Sequence, residues 1–120
     1  MVKKILEEEG YKVEVADDGR GCMSSLEKKI PDLVLLDMML PDMSGWDIFN
    51  KIINYEIHHR ATYKNKDKIF RIKVAFLSVI PISENRLTRL RRYGVSDYIM
   101  KPFDNKDLVT RINKIFTEIL

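Results

Sequence analysis

The run Leu33-Val34-Leu35-Leu36-Asp37-Met38-Met39-Leu40-Pro41-Asp42-Met43-Ser44-Gly45 passes from a purely apolar segment, through a carboxylate, into a turn. Apolar residues without polar alternation predict a strand buried on both faces, as in a parallel sheet. Asp37 follows where that strand leaves the sheet. Pro41, Ser44 and Gly45 turn the chain, and a helical pattern runs from Trp46 to Ile53. Ligand and reaction sites of open α/β sheets gather at the carboxyl ends of their strands. A carboxylate there can act as a nucleophile toward phosphorus. The same position also suits an aspartate that only caps a turn.

Working outward, the rest of the chain alternates strands with helices. Upstream, Met1 to Glu9 carries Val2, Ile5 and Leu6 on one face, and Gly10 closes that short helix. Lys12 to Ala16 alternates and is β-branched, which predicts a strand. Asp17-Asp18-Gly19 leads through Arg20 and Gly21 into a helix over Cys22 to Ile30, stopped by Pro31. Downstream, Ser44 and Asp47 form a capping pair for the helix that ends near Ile53. Residues Tyr55 to Arg71 are polar, basic and without clear period, so they read as a long exposed connection.

Ile72 to Leu77 then predicts a strand ending at Ser78, followed by a helix over Glu84 to Tyr93 that Gly94 closes. Val95 to Met100 is a strand running into Lys101-Pro102-Phe103. Asp104 caps a last helix whose Leu108, Ile112, Ile115, Phe116 and Ile119 make one apolar stripe. The order predicts a doubly wound parallel sheet with five helices.

Composition narrows the class. The chain has 120 residues, 45% apolar and 32% charged, which suits one ordinary globular domain. Its apolar runs are too short to span a bilayer, and no signal peptide precedes the first helix. One cysteine, Cys22, cannot form an internal disulfide, and the cysteine and methionine usage suits the cytoplasm. A net charge of +3 permits an acidic partner without requiring nucleic acid.

Three strand ends carry chemistry: Asp37, Ser78 and Lys101. Phosphoryl transfer to a carboxylate needs a nucleophile, with cations and donors for the equatorial oxygens. Lys101 offers a mobile point charge, and Ser78 a hydroxyl able to bond an acyl phosphate. Taken singly, a serine or lysine at a strand end is usually only solvated. The order and spacing of the three give them weight.

Leu-Leu-Asp-Met-Met-Leu-Pro-Asp-Met-Ser-Gly, with these two later residues, resembles the phosphoacceptor strand of response-regulator receiver domains in two-component signalling. The resemblance covers the chain from the first helix onward. It implies a flavodoxin-like fold over residues 1–120 as one receiver domain, of the single-domain, chemotaxis-regulator-like kind. Asp37 would be the phosphorylated aspartate and Ser78 the switch hydroxyl. Lys101-Pro102-Phe103 matches the lysine and its cis-proline turn, and Tyr98 the aromatic that rotates on activation. Tyr98 also reads as a half-buried strand aromatic. Met39 would offer a backbone carbonyl to a magnesium ion. Val79 departs from the small residue usual after the switch hydroxyl, which restricts access to the phosphate.

Receivers begin with a central strand ending in an acidic pair that holds magnesium. The sequence opens inside the first helix, so its start is misplaced or the protein has adapted to that loss. Magnesium is expected from the family, and weakened or lost if the pair is truly absent. Four parallel strands are then visible, an N-terminally truncated version of the fold. Direct pairing of Lys12–Ala16 with Leu33–Leu36 would close the sheet, with the first and last helices on one face and the others opposite. A strand borrowed from another chain is the rival closure. Direct closure would bring Asp17 and Asp18 beside Asp37 as stand-in magnesium ligands, although Asp-Asp-Gly is also a common turn sequence.

The function that follows is a phosphoacceptor, assisting its own phosphoryl transfer without being a conventional enzyme. A sensor histidine kinase would supply the phosphoryl group. No output domain follows Leu120, so a separate effector would read the face from Arg86 to Tyr98 and the last helix. A pseudo-receiver binding module is the alternative, unphosphorylated for want of the acidic pair. An aspartate-nucleophile phosphatase ranks last, because Met39 occupies the place of its second aspartate. His58-His59 are adjacent and poorly placed to chelate together. Arg86, Arg89, Arg91 and Arg92, with the lysines of 64–73, read as a solvated or protein-docking face before a nucleic-acid patch. No membrane contact is expected, and the chain would be a monomer or homodimer.

Overall fold

A computed structural model describes residues 2–62 and 72–117, with the side chains of 59–62 left aside. In order, α1 is Val2–Glu8, α2 Gly19–Lys28, β1 Leu33–Asp37, α3 Gly45–Thr62, β2 Lys73–Ser78, α4 Glu84–Arg92, β3 Val95–Met100 and α5 Asn105–Thr117. Among the described residues the strands form one parallel sheet in the order β1-β2-β3. This is the flavodoxin-like doubly wound arrangement with five helices. No helix among the described residues is long and apolar enough to cross a membrane.

The period-2 geometry of each strand divides its side chains between two helical layers. Leu36, Val74, Phe76 and Tyr98 face Leu26 of α2, Ile48, Phe49 and Ile52 of α3, and Leu90 of α4. Ala75, Leu77 and Ile99 face Leu6 of α1 and Leu108, Ile112 and Ile115 of α5. The first and last helices therefore share one face, as right-handed crossovers require. β2 is the best covered strand, buried from Val74 to Ser78.

The expected fourth strand over Lys12–Ala16 is not formed. The segment pairs with no strand among the described residues, and β1 is the sheet edge beside it. Val13 and Val15 favour an extended backbone, but a ladder also needs a partner in register, which no local preference supplies. Tyr11 instead anchors the segment. Its ring stacks on Phe116 at 5.5 Å, and its hydroxyl donates to the Asn113 side chain. The described sheet thus has three strands where four were expected, and the direct pairing of Lys12–Ala16 with Leu33–Leu36 is not formed.

Two helix boundaries also differ. α3 continues from the expected end near Ile53 to Thr62. No glycine or proline lies between Gly45 and Pro81, so nothing in the chain breaks the helix when its apolar face runs out. The connection read over 55–71 is therefore helix as far as Thr62, and its remainder lies outside the described residues. α2 begins at Gly19 because the Asp18 carboxylate caps it, accepting from the Gly21 amide at 2.7 Å. Ser44 and Asp47 make the expected reciprocal pair at the start of α3, at 3.2 and 3.3 Å. Asp104 accepts from the Lys106 amide at the start of α5. Ile119 of the last helix's stripe lies outside the described residues.

Candidate functional site

Parallel pairing puts the carboxyl ends of all three strands side by side. Asp37 is opposite Leu77, and Ser78 opposite Met100, so Asp37, Ser78 and Lys101 converge at one rim. Two bonds beyond the strands extend that order. The Met38 amide donates to the Leu77 carbonyl at 3.2 Å, and the Lys101 amide to the Ser78 carbonyl at 2.7 Å. The Lys101–Pro102 peptide is cis, as the family turn implies.

Lys101 Nζ lies 2.8 Å from Asp37 Oδ2, and the Met39 amide donates to Oδ1 at 3.1 Å. Burial pushes the Asp37 carboxyl up. The Lys101 hydrogen bond, the Met39 amide and the lysine's charge outweigh that and hold it below its ordinary value. Asp37 is thus a half-buried anion with a cation at one oxygen and an amide at the other.

Ser78 is buried, and its Oγ accepts from the Ile80 amide at 3.0 Å. Tyr98 is also buried, its ring against Phe76, and its hydroxyl donates to the Ile80 carbonyl at 2.7 Å. The backbone of Ile80 therefore joins the two residues expected to act as the switch. Val79 is 66% exposed and points away from the core.

The loop after Asp37 is tightly held. Met39 and Ser44 form an isolated antiparallel bridge, and the Gly45 amide donates to the Met38 carbonyl at 3.0 Å. A Cβ on Gly45 would lie 3.0 Å from both the Asp37 carbonyl oxygen and the Met38 Cα, so a side chain does not fit there. At the loop's tip the Asp42 carboxylate accepts from the Gly19 amide at 2.7 Å and the Arg20 amide at 3.1 Å.

The family's magnesium was tested against the donors present. Magnesium usually takes one or two carboxylates plus phosphate in near-octahedral geometry. Both Asp37 oxygens already have protein partners, Asp18 is spent as the α2 cap, and Asp17 is exposed. No group of three or more His, Cys, Asp or Glu able to hold a metal occurs among the described residues. Asp37 and the Met39 carbonyl are too small a donor set, so the described residues do not fit the ion. The strand pairing that would have made Asp17 and Asp18 stand-in ligands is missing as well.

Sequence reasoning missed three contributors. Asp42 and Ile80 act through backbone contacts that no spacing rule reveals. Asp97 is 8% exposed inside β3, 3.3 Å from the Arg111 guanidinium and 3.9 Å from that of Arg91. A charge within Val95–Met100 was the available signal, since a buried carboxylate demands a cation. Arg91 is thereby partly committed, whereas Arg86, Arg89 and Arg92 remain exposed. His58 lies exposed on α3, and the His59 side chain lies outside the described residues.

Comparison with known proteins agrees with this geometry. The chain is 32% identical over 112 residues to the transcriptional regulatory protein TrcR of Mycobacterium tuberculosis, covering 93% of this chain and 38% of that protein. It is 34% identical over 119 residues to the phosphate regulon transcriptional regulatory protein PhoB of Escherichia coli, covering 99% and 47%. The chain thus spans less than half the length of these curated relatives. A CheY-like receiver domain protein from Methanospirillum hungatei superposes with a TM-score of 0.72 at 29% identity, covering 94% of this chain and 79% of that one. The family described as response regulator receiver domain matches residues 1–113, and the chain belongs to it.

Proposed function

We propose that Asp37 accepts a phosphoryl group from a sensor histidine kinase and that the phosphorylated state alters protein contacts. The observation that carries this reading is the Lys101 ammonium 2.8 Å from the Asp37 carboxylate, with Ser78 at the adjoining strand end. Asp37, with its carboxyl held below the ordinary carboxylate value by Lys101 and the Met39 amide, is ionised at neutrality as any unperturbed aspartate is, and as a nucleophile must be. In the transfer, a carboxylate oxygen forms a bond to phosphorus as the P–N bond of a phosphohistidine breaks. The electron pair leaves on the imidazole nitrogen, which takes up a proton from solvent. Lys101 moves from neutralising the free carboxylate to neutralising the phosphoryl oxygens. The Ser78 hydroxyl turns to donate to one of those oxygens.

The proposed output is a contact with an effector through the α4 residues from Arg86, β3 as far as Tyr98, and α5. The protein assists its own modification, works in the cytoplasm as a monomer or homodimer, and is not a conventional enzyme.

A second reading is favoured by the small set of metal donors around Asp37 among the described residues: a pseudo-receiver, presenting the same face without phosphorylation. Intact-mass measurement after incubation with a small phosphodonor, with and without magnesium, separates the two. The proposal expects one phosphoryl group on the wild type and none on Asp37→Asn. No gain under either condition supports the pseudo-receiver, and equal gain in both proteins moves the site elsewhere.

A further inference from the structure

Asp42 follows Pro41 at the tip of the loop between Asp37 and α3, and its side chain reaches out of that loop. Its two oxygens accept from the first amides of α2, Gly19 at 2.7 Å and Arg20 at 3.1 Å. The next amide, Gly21, is taken by Asp18. The orphan donors of the α2 N-terminus are thus divided between a local cap and a residue 23 positions away in sequence. The Asp42 carboxyl is held below its ordinary value chiefly by the Gly19 amide, consistent with a charged acceptor. Met43 reinforces the contact, since a Cβ on Gly19 would fall 2.4 Å from the Met43 sulfur.

The other end of the same loop holds Met39, whose amide donates to Asp37 Oδ1. Between the two ends the loop is short and braced by the Met39–Ser44 bridge. A displacement at Asp42 is therefore transmitted to Met39 with little slack. We infer that Asp42 is a positioning residue: by fastening the loop to α2 it sets the Met39 amide against the Asp37 carboxylate. Its effect on phosphoryl transfer rests on the function proposed above, while its effect on Met39 does not.

The test uses the full chain with Asp42→Ala, Asp42→Asn and Asp18→Ala, each first checked for a cooperative unfolding transition. The Met39 amide resonance, followed through the titration of Asp37, reports whether the two groups still touch. In the wild type and in Asp42→Asn, which keeps a side-chain oxygen for Gly19, the resonance tracks the carboxyl. In Asp42→Ala that tracking shrinks to half or less of its wild-type amplitude. Asp18→Ala loosens the same helix end but leaves the Met39 response intact. With a small phosphodonor, Asp42→Ala acquires label roughly tenfold more slowly, the order one charge-assisted hydrogen bond supports, and Asn restores most of the rate. An unchanged Met39 response in Asp42→Ala, or one lost equally in Asp18→Ala, overturns the inference. So does wild-type labelling by Asp42→Ala. If no protein takes label, the phosphoacceptor reading fails and the Met39 response alone decides the role of Asp42.

Discussion

The Asp37 carboxylate is held by two weak restraints that add to one chemical result. Its side chain is 40% exposed, so solvent screens the Lys101 pair and the gain in stability is modest. What the pair controls is ionisation. The folded carboxyl titrates below its ordinary value of 3.8, so its contribution to stability is present above that value and is lost as pH falls through the folded one. Lys101→Ala should raise the Asp37 pKa in an NMR titration and shrink that acid-side loss. An unmoved pKa would mean that Lys101 does not act on Asp37. Tyr98→Phe removes the bond to the Ile80 carbonyl and should cost ~0.5–1.5 kcal/mol by denaturant unfolding. The convergence of Asp37, Ser78 and Lys101 at one rim was legible because each lies at the carboxyl end of a parallel strand. Asp42 and Ile80 were not: Asp42 acts on amides that a remote helix brings to it, and Ile80 through its own backbone, which the Ser78 and Tyr98 hydroxyls meet.

Elements were legible wherever a local signal ended them. Gly10 and Gly94 take positive φ and close α1 and α4, while Asp18, Ser44 and Asp104 begin helices. α3 was underestimated because its apolar stripe was taken for its length, although no breaker followed. Lys12–Ala16 failed for the opposite reason: its local pattern suits a strand, but pairing is decided by a partner. The turn between β1 and α3 admits a sharper check at Gly45. Gly45→Ala should destabilise by ~1–3 kcal/mol in denaturant unfolding, since the new methyl meets backbone on two sides. A stability equal to wild type would contradict the tight loop.

For the whole molecule, two helical layers enclose a short sheet whose middle strand is sealed and whose first strand is an edge. β2 is paired on both sides, and β1 pairs only with β2 among the described residues. Hydrogen exchange should therefore be at least about tenfold faster at the outward amides of β1 than along β2. Equal protection would mean that something else pairs with that edge. The layering was legible because right-handed crossovers between parallel strands put the first and last helices on one face and the others opposite. The edge at β1 was not, because Lys12–Ala16 was expected to pair with it. The same sheet places Asp37 at the rim where Ser78 and Lys101 meet, and the central claim is that this carboxylate takes the phosphoryl group. Treating the protein with a small phosphodonor, reducing it with borohydride and mapping the peptides tests that most directly, because reduction turns an aspartyl phosphate into homoserine. The account predicts homoserine at position 37 alone. Homoserine at another carboxylate, or none in a sample whose intact mass shows a phosphoryl group, would contradict it.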